Sequence, residues 1–91
     1  MKTASTVGNM KSTKGNPIPN QFILKTSKGT YFQSYQTIIV FINTKGQVFL
    51  DKKYWDYSNT TRRYRNMFLG EMSDNIKAKI KNGTYKLKDL N

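Results

Sequence analysis

Two short runs of β-branched and aromatic residues, each broken by a hydroxyl-Lys-Gly turn, constrain the first half of this 91-residue chain more than anything else in it. Phe22-Ile23-Leu24-Lys25-Thr26 leads through Ser27-Lys28-Gly29 into Thr30-Tyr31-Phe32, and Ile38 to Asn43 leads through Thr44-Lys45-Gly46 into Gln47-Val48-Phe49-Leu50. Glycine at the third loop position suits the left-handed residue of a three-residue hairpin, so both segments read as antiparallel hairpins. They align at an offset of 17 residues, with Phe32 matching Phe49, and shared turn chemistry explains the likeness as well as duplication does. Ile38-Ile39-Val40-Phe41-Ile42 is continuously apolar. That places it centrally in the sheet, covered on both faces or nearly so. The other strands alternate more, and the wetter face of the first hairpin would carry Tyr31, Gln33 and Tyr35.

Residues 1–20 are mostly Ser, Thr, Gly, Asn and Lys with few apolar side chains. Such a stretch buries too little surface to offset its ordering entropy, so a flexible arm is expected there, made basic by Lys2, Lys11 and Lys14. It would end at Pro17-Ile18-Pro19, and Ser12-Thr13-Lys14-Gly15 within it reads as loop. Residues 21–91 would then form the single folded domain, since a chain this short supports one modest core.

After Asp51 the apolar period changes. Ser58 or Asn59 can cap a short helix running to about Phe68, and Gly70 ends it. At 100° per residue, Thr60, Tyr64, Met67 and Phe68 share one face, while Arg62, Arg65 and Asn66 fall opposite with Arg63 at their flank. Ser73 caps a second helix with Asp74 in its first turn and Lys77, Lys79 and Lys81 toward its end, a charge order that complements the helix dipole. Asn82-Gly83 stops it, and alternating Tyr85 and Leu87 suggest a last edge strand. The expected fold is α+β: an antiparallel sheet of four to five strands built from two hairpins, with two short helices near the C-terminus.

Sixteen Lys+Arg against five Asp+Glu give a formal charge of +11. An excess of that size repels itself in the compact state and persists most readily where something acidic is bound. Nucleic acid is the commonest such partner, followed by an acidic protein face and an anionic membrane. Cysteine and histidine are both absent, which removes disulfides, thiolate zinc sites, the usual general base and the commonest metal ligand. The carboxylates Asp51, Asp56, Glu71, Asp74 and Asp89 are scattered, and Asp51 suits a strand-end turn. No catalysis, metal or cofactor is expected. Neither a secretory signal nor a run of about 18 apolar residues is present, so the expected setting is the cytoplasm, with no membrane partner.

Lys52 to Arg65 is the densest mixture of cations and rings, with all three arginines, the only tryptophan and three of six tyrosines in fourteen residues. Cations find phosphates, while exposed rings stack on bases for roughly 1–3 kcal/mol each or fill interface hot spots. Arg62, Arg63 and Arg65, which helical phase turns outward, are the first candidates, with Lys52 and Lys53 beside them in sequence. Lys77 and Lys81 add charge from the second helix. Tyr54 and Tyr57 have two readings, as stacking rings or as packing residues. Trp55 is better explained as packing in so small a core.

The run Tyr54-Trp55-Asp56-Tyr57-Ser58, Thr60-Thr61, Tyr64-Arg65-Asn66 and Phe68-Leu69-Gly70-Glu71 resembles a family of small proteins of unknown function encoded by phages and mobile elements of Gram-positive bacteria. Pro17 to Ile23 and Tyr31-Phe32-Gln33-Ser34-Tyr35 share the likeness, which covers roughly residues 16 to 90. The resemblance implies a phage-borne protein acting inside a bacterial host cell on host or phage machinery. Two functions fit that setting. One is non-catalytic nucleic-acid binding through a cationic-aromatic surface. The alternative is an anti-defence, anti-CRISPR-like inhibitor that binds a host nuclease or its ribonucleoprotein, with the same cluster as its hot spot.

Overall fold

Four consecutive hairpin connections carry the chain through its first five strands: β1 (Ala4–Lys11), β2 (Pro17–Thr26), β3 (Gly29–Ser34), β4 (Thr37–Asn43) and β5 (Val48–Asp51). Helices α1 (Asn59–Leu69) and α2 (Ser73–Lys81) then cross back to β6 (Tyr85–Lys88). This is a computed structural model describing residues 4–91; Lys2 lies outside the described residues. All six strands join one sheet in chain order, antiparallel throughout except that β6 runs parallel to β5. The α+β class with two C-terminal helices is as expected, and the strand count is six rather than four or five.

The extra strand comes from the segment expected to be a flexible arm. Residues 4–11 pair with β2 in antiparallel register, Val7 facing Leu24 and Asn9 facing Phe22. An edge strand is held by backbone hydrogen bonds along one side and needs little apolar surface of its own. Thr6 to Asn9 are accordingly exposed, and Met10 is the apolar anchor, buried beside Ile18. Asn9 adds a side-chain bond, donating from Nδ2 to the Ile18 carbonyl at 2.9 Å.

The Thr13-Lys14-Gly15 stretch, expected to be plain loop, is the true counterpart of Thr44-Lys45-Gly46. In the first, Ser12 N–H donates to the Asn16 carbonyl and Gly15 N–H to the Ser12 carbonyl; in the second, Asn43 and Gly46 repeat the pattern onto Gln47 and Asn43. Gly15 and Gly46 sit at φ 82° and 83°, the left-handed residue such loops require. Ser27-Lys28-Gly29 differs. Thr26 pairs directly with Gly29, which leaves a two-residue turn and puts the glycine inside β3. Gly29 has φ 145°, and a Cβ there would overlap the Ile42 carbonyl oxygen of β4. Its glycine serves close strand approach, so the 17-residue likeness joins two different turns.

Both helices lie on one face of the sheet. Phe32, Val40 and Leu50 stand in one register row across β3, β4 and β5, all three fully buried, and Phe68 of α1 stacks on Phe32 at 5.6 Å. Ile76 of α2 is fully buried and Tyr85 nearly so. The apolar β4 run is central in the sheet, but only one of its faces is roofed. A register shift beside Phe32 absorbs the extra residue Ile39, and Phe41 and Ile38 turn to the helix-free side.

Alanine at the two best-defined glycines should separate these roles. Gly46→Ala meets open space and is expected to cost about 1 kcal/mol for the left-handed backbone. Gly29→Ala adds steric overlap and is expected to cost more than about 3 kcal/mol. Equal losses in chemical denaturation would contradict the close approach at Gly29.

Candidate nucleic-acid interface

The Lys52–Arg65 run folds around its own charges. Asp51 is buried at the end of β5, where its carboxylate accepts from Lys53 and Tyr54 N–H at 3.1 and 2.9 Å and from Leu90 N–H at 2.8 Å. These bonds nucleate the turn over residues 52–57 and tie down the C-terminal residues. Burial disfavours the Asp51 charge, but the backbone donors outweigh it and hold the carboxyl below the usual aspartate range. Ser58 then caps α1, its Oγ accepting from Thr61 N–H at 3.1 Å, and Gly70 closes the helix in the left-handed conformation.

Helical phase turns Arg65 inward, against expectation. Thr61 and Arg65 are buried, whereas Thr60 is exposed and Met67 is 41 % exposed. The inner stripe is Thr61, Tyr64, Arg65, Phe68 and Leu69. Every nitrogen of the Arg65 guanidinium has an acceptor: Nη1 donates to the Trp55 carbonyl at 2.8 Å and Asp56 Oδ1 at 3.1 Å, Nε to Asn66 Oδ1, and Nη2 to Asn66 Oδ1 and to Ser73 Oγ at 3.0 Å. The guanidinium also lies 5.2 Å from the Trp55 ring centroid. A stripe read from apolar residues places arginine outside, because hydropathy cannot register a cation whose donors are all satisfied.

The knot accounts for other departures. Ser73 Oγ accepts from Arg65 Nη2 and Asn66 Nδ2, and Ser73 is the first residue of α2, whose N-cap Met72 has no capping side chain. Arg62 is half-buried, its Nε donating to Asp56 at 2.8 Å and its Nη1 to Asn59 at 2.8 Å. Burial works against the Asp56 charge, yet the bonds from Arg62 and then Arg65 keep its carboxyl below the usual range. Trp55 and Tyr54 pack against the core, as a packing reading requires; Tyr57 is 51 % exposed, with its ring edge-on to Tyr54.

The remaining candidates are placed outside. Lys52, Lys53, Arg63, Lys77 and Lys81 are exposed, with Arg63 folded over Tyr64 at 5.4 Å. Lys52 and Lys53 follow β5, and Lys52 N–H donates to the Lys88 carbonyl, so they sit at the end of β6. Lys77 and Lys81 ride on α2. Thus the structure brings Arg62 and Arg65 together in the knot and leaves the other cations on separate elements.

The helix-free face of the sheet carries Tyr31 and Gln33, as expected for the wetter side of the first hairpin, but the row that continues across the other strands was missed in the sequence. One register row crosses all six strands there: Val7, Leu24, Tyr31, Phe41, Phe49 and Lys86. Tyr31 and Phe41 stack at 4.5 Å, Phe41 and Phe49 at 6.1 Å, and Lys88 Nζ lies 5.4 Å from the Phe49 centroid. Period-2 alternation signals the row strand by strand, but only the pairing register aligns it.

No group of three or more metal-capable side chains exists among the described residues, and no helix there is long and apolar enough to cross a membrane. A family of unknown function (DUF8033) matches residues 4–85. The chain belongs to DUF8033. No curated protein and no solved structure matches it. The DUF8033 match spans β1 through the first residue of β6, so it takes in both the Arg65 knot and most of the aromatic row.

Arg65→Lys keeps the charge but cannot reach all these acceptors, leaving buried groups unpaired. It should destabilise the fold by roughly 3–5 kcal/mol in chemical denaturation. Arg63→Lys should leave the midpoint unchanged. A silent Arg65→Lys would contradict a structural guanidinium.

Proposed function

We propose that this chain binds nucleic acid without catalysis, through a cationic exterior. The observation that carries this reading is how the carboxylates are used. Asp51 is buried, Asp56 is held by two arginines, and Glu71 is bonded to Lys79 at 2.6 Å and to the Tyr85 hydroxyl. Burial opposes the Glu71 charge, and the Lys79 and Tyr85 bonds overcome it, so its carboxyl stays below the ordinary range. Among the described residues, eleven lysines and Arg63 are exposed against only Asp74 and Asp89. Such a surface attracts a polyanion from any approach, and phosphates are the ligands that release counterions when lysines meet them. The resemblance to proteins of phages and mobile elements supplies the setting of this proposal, a bacterial cytoplasm.

Fluorescence anisotropy with short DNA and RNA at several salt concentrations tests it. With about five phosphates neutralised, affinity should fall with a log-log salt slope near −4.5 on duplex and −3.5 on single strands. Lys52→Ala/Lys53→Ala/Arg63→Ala should weaken binding and flatten the slope. Absence of binding at low salt overturns the proposal. A host protein captured from lysate that survives nuclease treatment, together with that absence, would favour the anti-CRISPR-like inhibitor instead.

A further inference from the structure

At one end of the helix-free face, Asn20, Phe22, Gln33, Tyr35, Gln36 and Thr37 line an open pocket of about 560 Å³. Its backbone is strained at two facing points. Asn20 has φ 65° and Tyr35 φ 56°, and Tyr35 N–H donates to the Asn20 carbonyl at 2.7 Å. An aromatic residue at positive φ is costly and persists where its surroundings impose it. Here the conformation holds the Tyr35 ring 51 % exposed at the pocket, and Gln33 Nε2 donates to the Tyr35 carbonyl at 2.8 Å to fix the turn. Phe22 and Gln33 pair across β2 and β3, on the row beside Leu24, Tyr31, Phe41 and Phe49. The pocket is therefore continuous with the aromatic face.

Resting on the nucleic-acid reading above, we propose that this pocket takes one unpaired nucleobase of a single strand laid across the helix-free face. A flat base fits beside the rings of Phe22 and Tyr35. The side-chain amides of Asn20 and Gln36 offer donors and acceptors to its pairing edge. Those edges are accessible only in unpaired nucleotides, so a duplex cannot use the site.

The charges are placed to match. In an antiparallel meander alternate turns share an end, so the Tyr35–Gln36 turn lies at the same end as the Lys14 loop and the Lys52–Lys53 turn. Lys88 joins them through the hydrogen bond from Lys52, and its Nζ lies against Phe49 on the open face. A strand running from β2 to β6 covers about 19 Å, four strand spacings, and ends at these lysines. Bases would meet the pocket and the ring row, while phosphates would meet Lys52, Lys53 and Lys88.

The test uses the full chain, with anisotropy on a 12-nucleotide oligothymidine or oligouridine strand and on a duplex, each over the same series of salt concentrations. Tyr35→Gly removes the ring and relieves the positive φ, so it should keep or raise the thermal midpoint. It should weaken single-strand binding about tenfold with an unchanged salt slope, and leave duplex binding alone. Lys52→Ala/Lys53→Ala should weaken both forms and flatten both slopes. No binding of either form by the wild type overturns the nucleic-acid reading itself. Binding of both forms with Tyr35→Gly silent overturns only the pocket.

Discussion

The buried guanidinium of Arg65 is the interaction on which the C-terminal half depends. It bonds at once to the turn after β5, through the Trp55 carbonyl and Asp56, to its own helix through Asn66, and to the start of α2 through Ser73. Neither helix is long, and short helices hold together through tertiary contacts more than propensity. A planar donor with five N–H groups joins three segments at fixed angles, which an apolar side chain of equal volume could not do. Burying such a charge is costly, and complete satisfaction of its donors is what makes the burial tolerable.

That arrangement also decides the outer charge. Asp56 pairs with both Arg65 and Arg62, Asp51 is spent on the turn and the C-terminus, and Glu71 ties the α1–α2 corner to Lys79 and Tyr85. The chain thus uses three of its five carboxylates as structural pins, and eleven lysines among the described residues are left facing water with little to offset them. The two faces of the sheet divide the work. One is roofed by α1 and α2 over Phe32, Val40 and Leu50, and the other carries the half-buried ring row and the strained Tyr35 turn.

Much of the fold was legible where a local rule acts alone. Turn glycines marked the Gly46 loop, Ser58 and Gly70 bounded α1, Asp74 and the last-turn lysines marked α2, and the alternation of Tyr85 and Leu87 gave β6. What failed was set by partners distant in sequence. β1 is polar because its pairing is through backbone, so composition made residues 4–11 look like a tail. Arg65 reads as a surface residue until Trp55, Asp56 and Ser73 surround it. Gly29 looks like Gly46 in sequence, but its neighbour is a carbonyl of β4 rather than open solvent. Tyr31, Phe41 and Phe49 belong to three strands, and register alone brings them together.

The cationic-aromatic run of residues 52–65 is chiefly an internal knot, and the proposed single strand lies on the opposite sheet face. Backbone and arginine side-chain NMR spectra recorded while a short single-stranded oligonucleotide is added test this most directly. The largest shifts are expected at Phe22, Tyr35, Phe41 and Phe49, with the Arg65 Nε–H signal unmoved. Shifts centred on Arg62 and Arg65, with the sheet face silent, would contradict it.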